Sequence, residues 1–149
     1  MNAEGTIETY YEALRGGDPL YPFFADEEAT VKFGVGERLT GYEAVRDGLR
    51  DQTRTTDGWV VESDRLIVTE RDAHAWFSDS VFMAWNSLER DIRYEFETRW
   101  SGTLERRPDE PWDADGDAPT DWRFVGMHVP SEAQSGSSDP HEGTEARGQ

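Results

Sequence analysis

Cysteine is absent from the 149 residues, which excludes disulfides, thiolate metal sites and a cysteine nucleophile. Lysine is nearly absent: Lys32 stands alone beside fourteen arginines, against thirty-two acidic side chains and a formal net charge of −17. So acidic a chain argues against function through a phosphate-binding face, whether the partner is nucleic acid or an anionic membrane. No apolar run nears the ~20 residues of a membrane span. The opening MNAEGTIETYYEAL lacks the basic and apolar regions of a secretion signal, so a soluble, cytoplasmic protein is expected. No P-loop, dinucleotide fingerprint or G-x-S-x-G elbow is present, which sets nucleotide and covalent-hydrolase chemistry aside. His74, His128 and His141 lack ligand spacing. Asp113, Asp115 and Asp117 imitate a calcium loop, but Gly116 comes at loop position 4 rather than 6 and Phe124 stands where the bidentate glutamate belongs. Neither a metal nor a cofactor is expected.

What is present is one domain's worth of chain. Ile7, Tyr10, Tyr11 and Leu14 recur at i, i+3, i+4, i+7, one face of a helix that Gly16-Gly17 stops. Asp18-Pro19 reads as the start of a second, short helix over Leu20, Tyr21, Phe23 and Phe24, interrupted by Pro22. A brief strand follows at 29–33. Thr40-Gly41-Tyr42-Glu43 has the form of a capping box, opening a third helix over about 41–52.

Beyond residue 58 the composition turns to aromatic and β-branched residues, giving four long strands at 59–69, 73–85, 92–107 and 122–130. Along the third, Ile92, Tyr94, Phe96, Thr98, Trp100, Gly102 and Leu104 alternate with charged and polar residues, so one face is aromatic and the other faces water. The strand at 73–85 is apolar on both faces, which suggests a subunit interface and a homodimer. Residues 108–121 hold six acids and three prolines and read as an exposed acidic loop. The sequence thus divides into a domain at 1–130 and a disordered acidic tail at 131–149, which has no apolar side chain larger than alanine. A carboxylate-rich surface on which arginine replaces lysine points to adaptation to high salt, where screening removes self-repulsion.

The front phrase ETYYEALRGGDPLYPFFADEEATVKFGVGERLTGYEAV and the back phrases ETRWSGTLERR and DWRFVGMHV resemble the SnoaL-like proteins of the nuclear transport factor 2-like superfamily. The resemblance covers roughly residues 5–130. It implies an α+β fold, a cone-shaped barrel in which three N-terminal helices pack on a curved, mostly antiparallel sheet around an apolar cavity. Its members include isomerases, polyketide cyclases and dehydratases as well as non-enzymatic binding and assembly modules, so fold alone does not fix function. The front phrase is also similar to ketosteroid isomerase. There the resemblance implies an oxyanion donor at Tyr10, but it places Phe33, which accepts no proton, at the general-base position. For the second oxyanion acid it offers Trp100 or Glu97.

Asp79 is the only carboxylate within the apolar strand AWFSDSVFMAW, and buried carboxyls make general bases. His128 on the last strand is a second proton-carrying candidate. Tyr10, Trp76, Tyr94 and Trp100 are candidates for the wall of a ligand pocket. Two readings follow. One is a cofactor-independent isomerase, cyclase or dehydratase acting on a small apolar molecule. The other is a dimeric binding or assembly module without turnover.

Overall fold

The computed structural model describes residues 1–134. The first helix, α1 (Ala3–Gly16), is capped by the Asn2 side chain on Gly5 N–H and by Gly17 in the left-handed region. Its four apolar side chains are all buried in the core, each worth roughly 1.5–3 kcal/mol of transfer free energy.

A second helix does not form. Tyr21–Phe23 make a single 3-10 turn that ends where Phe24 becomes extended. The reason lies in the sheet, because Phe24 bridges to Phe124 and Ala25 N–H donates to the Phe124 carbonyl at 2.9 Å. Sheet bonding begins where the turn ends, so the helix goes no further.

The chain then forms β1 (Val31–Gly34), β2 (Glu37–Thr40) and α2 (Tyr42–Thr55). The expected capping box is not made: Thr40 belongs to β2, and α2 opens at Gly41, whose φ of 91° suits only glycine, with no side-chain cap. The Gly41 and Tyr42 N–H groups instead donate to the carbonyls of Thr30 and Glu27.

Of the four long strands, the first is two: β3 (Thr56–Ser63) and β4 (Ile67–Glu70) share one edge of β5 (His74–Ser87). β6 (Ile92–Arg106) and β7 (Trp122–His128) follow as expected. Ser131–Gln134 add β8 against β6, so the sheet runs four residues past the expected domain end. The rest of the anticipated tail, 135–149, lies outside the described residues.

The sheet order is β2-β1-β7-β6-β5-β3, antiparallel except where β1 runs parallel to β7. The expected closed barrel with three helices is corrected to an open curved sheet with two. Its edge strands β2 and β3 do not pair, because α2 packs against both and against β1 between them. The alternation on β6 holds: Phe96, Thr98, Trp100 and Leu104 are buried, and Glu97, Arg99 and Ser101 are exposed. The acidic segment 108–121 is tied down at both ends. Trp112 packs edge-on against Phe23 at 5.1 Å, Tyr42 Oη donates to Asp113 at 2.6 Å, and buried Arg123 donates to the carbonyls of Glu110, Thr120 and Trp122.

Candidate functional site

Period-2 alternation along β1 decides what faces the interior. Lys32 is buried at 6 % exposure, whereas Phe33 turns to the other face, under the Arg38 guanidinium and beside His128. Lys32 therefore points into a recess of about 100 Å³ between α1, the β1–β2 hairpin, α2 and the inner face of the sheet.

Its walls are aromatic. Trp59 stacks on Trp85 at 4.7 Å, and Trp100 and Met83 complete that side. A cavity of about 150 Å³ with apolar walls takes up benzene, so this recess is on the scale of a small ring.

Four polar side chains reach it: Tyr10, Lys32, Glu37 and Gln52. Lys32 and Glu37 form an ion pair across the hairpin. Since Lys32 sits opposite Leu39 in the ladder, Glu37 is its diagonal neighbour on the same face. Tyr10 is 1 % exposed and held edge-on by Phe23, Phe24, Phe124 and Trp100 at 5.2–6.2 Å. Its hydroxyl meets the recess and makes no hydrogen bond among the described residues. Burial, and secondarily the charge of Glu37, holds this phenol well above the ordinary tyrosine range. It is therefore a neutral donor at physiological pH.

Asp79 also faces inward, at 4 % exposure, but toward the middle of α1 rather than the recess. Its Oδ2 accepts from Tyr11 Oη at 2.8 Å and from Ser63 Oγ at 2.6 Å, and its Oδ1 from Arg65 N–H at 3.0 Å. This carboxylate joins α1 to the break between β3 and β4, and its acceptor capacity is largely spent on doing so. Tyr11 is likewise raised, first by burial and then by its bond to Asp79.

Of the other sequence candidates, Trp100 lines the recess. Tyr94 stands one layer behind, against Trp85 and Phe96 at 5.6 and 6.2 Å, its hydroxyl accepting from Arg90. Trp76 points outward at 44 % exposure, stacked on His74 with Arg71 over it. His128 is exposed on the outer side of β7. The structure thus brings Tyr10 and Trp100 together and leaves Asp79, Trp76 and His128 elsewhere. Lys32 and Glu37 escaped the sequence reading, although Lys32, as the single lysine, and its place one residue before Phe33 were both visible. Among the described residues no helix is long and apolar enough to cross a membrane, and no His, Asp and Glu cluster could hold a metal.

The profile of the SnoaL-like domain matches residues 4–114. No curated protein matches significantly. Among solved structures, a nuclear transport factor 2-like superfamily protein from Salmonella enterica serovar Typhimurium is 16 % identical, with a TM-score of 0.69 over 94 % of this chain and 93 % of that one. A candidate scytalone dehydratase from Novosphingobium aromaticivorans is 14 % identical, with a TM-score of 0.67 over 95 % and 92 %. A ketosteroid isomerase-like protein from Erwinia carotovora atroseptica is 11 % identical, with a TM-score of 0.64 over 87 % and 93 %.

Proposed function

Given that the chain belongs to the SnoaL-like domain family, we propose that it is a cofactor-independent enzyme of the dehydratase or isomerase kind, acting on a small, flat, largely apolar molecule held in the aromatic recess. The observation that carries this reading is the Tyr10 hydroxyl, which makes no hydrogen bond among the described residues and opens onto that recess beside a carboxylate. A donor in so sheltered a place is free to bond a ligand oxygen, and the bond gains strength from the low-dielectric surroundings. Both reactions need a donor at an oxygen and a base near an adjacent carbon, and the recess holds both in Tyr10 and Glu37. The names of the dehydratase and isomerase-like neighbours agree with that chemistry.

The test is thermal unfolding in molar KCl with the single-ring compounds phenol and cyclohexanone, followed by a crystal structure with whichever stabilises. A rise in melting temperature that is lost in Tyr10→Phe supports the reading. No rise with any ring compound overturns it.

A second reading, a dimeric binding or assembly module, draws support from the outer face of β4 and β5. There Ile67, at 58 % exposure, and Trp76 stand in the open, an apolar pair suited to a second copy of the chain. A dimer mass by light scattering in molar salt, reduced to a monomer by Trp76→Glu, is the expected outcome. A monomer mass for the unmodified protein removes it.

A further inference from the structure

Arginine supplies fourteen of the fifteen basic side chains, and the one lysine is the only basic group lining the recess. The two cations serve equally for solubility and ion pairing at a surface, but a guanidinium does not give up its proton in proteins, whereas a buried ammonium does. Lys32 is thus the one side chain carrying a primary amine, the nitrogen that can bond covalently to a carbonyl carbon, and it sits among tryptophans with a carboxylate in contact to receive its proton.

From this we propose that Lys32 is a covalent site, forming an imine with an aldehyde or ketone bound in the recess while Glu37 carries the protons. The proposal rests on the reading of the recess as a ligand site, but goes beyond its non-covalent chemistry.

The steps balance without any further reagent. The Lys32 ammonium gives a proton to Glu37, and the free amine adds to the carbonyl carbon as the carbon–oxygen π bond opens. Glu37 returns its proton to the new alkoxide and then takes one from the charged nitrogen. It delivers that proton to the hydroxyl, which leaves as water as the carbon–nitrogen double bond forms. The product is a protonated imine, one water and the regenerated Glu37 carboxylate. The Tyr10 hydroxyl supplies a donor to the oxygen through the addition.

Two features favour the arrangement. The diagonal placement of Lys32 and Glu37 on a two-stranded hairpin fixes their contact through backbone pairing. Gly34 supplies the space, because a Cβ there would lie 2.5 Å from Glu37 Oε1. The flat aromatic walls select the carbonyl class as one attached to a ring or a conjugated system.

The experiment incubates the full chain in molar KCl at pH 7 with benzaldehyde and cyanoborohydride, which reduces any imine to a stable benzyl amine, and reads the modified residue by peptide mass mapping. Only two amines exist, Lys32 and the N-terminal one, so assignment is unambiguous. The expected result is benzylation of Lys32 at least about tenfold faster than of N-α-acetyl-lysine, slowed about a hundredfold by Glu37→Gln, the lower end of general acid–base contributions. Lys32→Arg, which keeps the charge and is checked for folding by thermal unfolding, leaves only N-terminal product. Labelling confined to the N-terminal amine, or Lys32 reacting no faster than the free amino acid, overturns the proposal. If phenol still stabilises the protein through Tyr10 in that case, the recess reading survives and the imine alone falls.

Discussion

Gly34 and Glu37 face each other across the hairpin so closely that a single methyl group on Gly34 would collide with the Glu37 carboxylate. The position of the Lys32–Glu37 pair is therefore set by an absent side chain as much as by the two that are present.

Gly34→Ala should force Glu37 off Lys32 and leave a buried ammonium without its partner. We expect a loss of about 1–3 kcal/mol, as for other overpacked sites, measured by guanidinium unfolding with the same salt in every sample. Adding Glu37→Ala should recover part of the loss if the clash is its source; a strictly additive double variant would count against this explanation.

Asp79→Ala removes the acceptor for three donors at once. About 3 kcal/mol of stability should be lost, and Tyr11→Phe should cost only about 1 kcal/mol, since it takes away one bond and leaves no buried donor behind. Binding of phenol should be unchanged in Tyr11→Phe. A loss of binding there without a loss of stability would move Asp79 into the ligand site.

The raised tyrosines give a pH dependence with a definite sign. In the unfolded chain both phenols ionise near 10; in the folded chain burial holds Tyr10 and Tyr11 above that. Their ionisation therefore favours unfolding, so this contribution to stability is complete below about pH 10 and shrinks as the pH rises further. Phenolate absorbance from these two residues should appear together with the loss of near-ultraviolet circular dichroism, and Tyr10→Phe should delay the alkaline transition. Free titration of all five tyrosines in the folded state would contradict the burial described here.

Thirty-two carboxyl side chains against fifteen bases should make folding depend on screening. The melting temperature should climb from dilute buffer to molar KCl. An unchanged value would show that the arginine-centred ion pairs, such as Arg107 with Glu27, Glu105 and Glu110 at 2.7 Å each, already offset the repulsion.

Long periodic segments were readable from the sequence. The apolar face of α1 and the alternation of β6 follow from spacing alone, because each period allows one burial pattern. Short segments were not. The Tyr21–Phe24 stretch, interrupted by Pro22, makes one 3-10 turn before Phe24 turns extended and bridges to the sheet, and Thr40-Gly41-Tyr42-Glu43 has a capping sequence whose threonine belongs to a strand. The site was missed for a related reason. Matching the brief first strand by resemblance selected Phe33, and in a structure of period two a one-residue offset turns the wrong face to the interior. Tyr10 and Trp100 can be placed on the inward face from sequence because they lie on the long elements where register is secure.

The Arg123 guanidinium is fastened to three carbonyls at the two ends of the acidic segment, so the ends are fixed while the stretch between them, 115–119, stays exposed. That makes these five residues a natural splice point: an epitope or a fluorescent domain grafted there would hang from a braced frame, away from the tryptophan-lined hollow and from the outward face of β5.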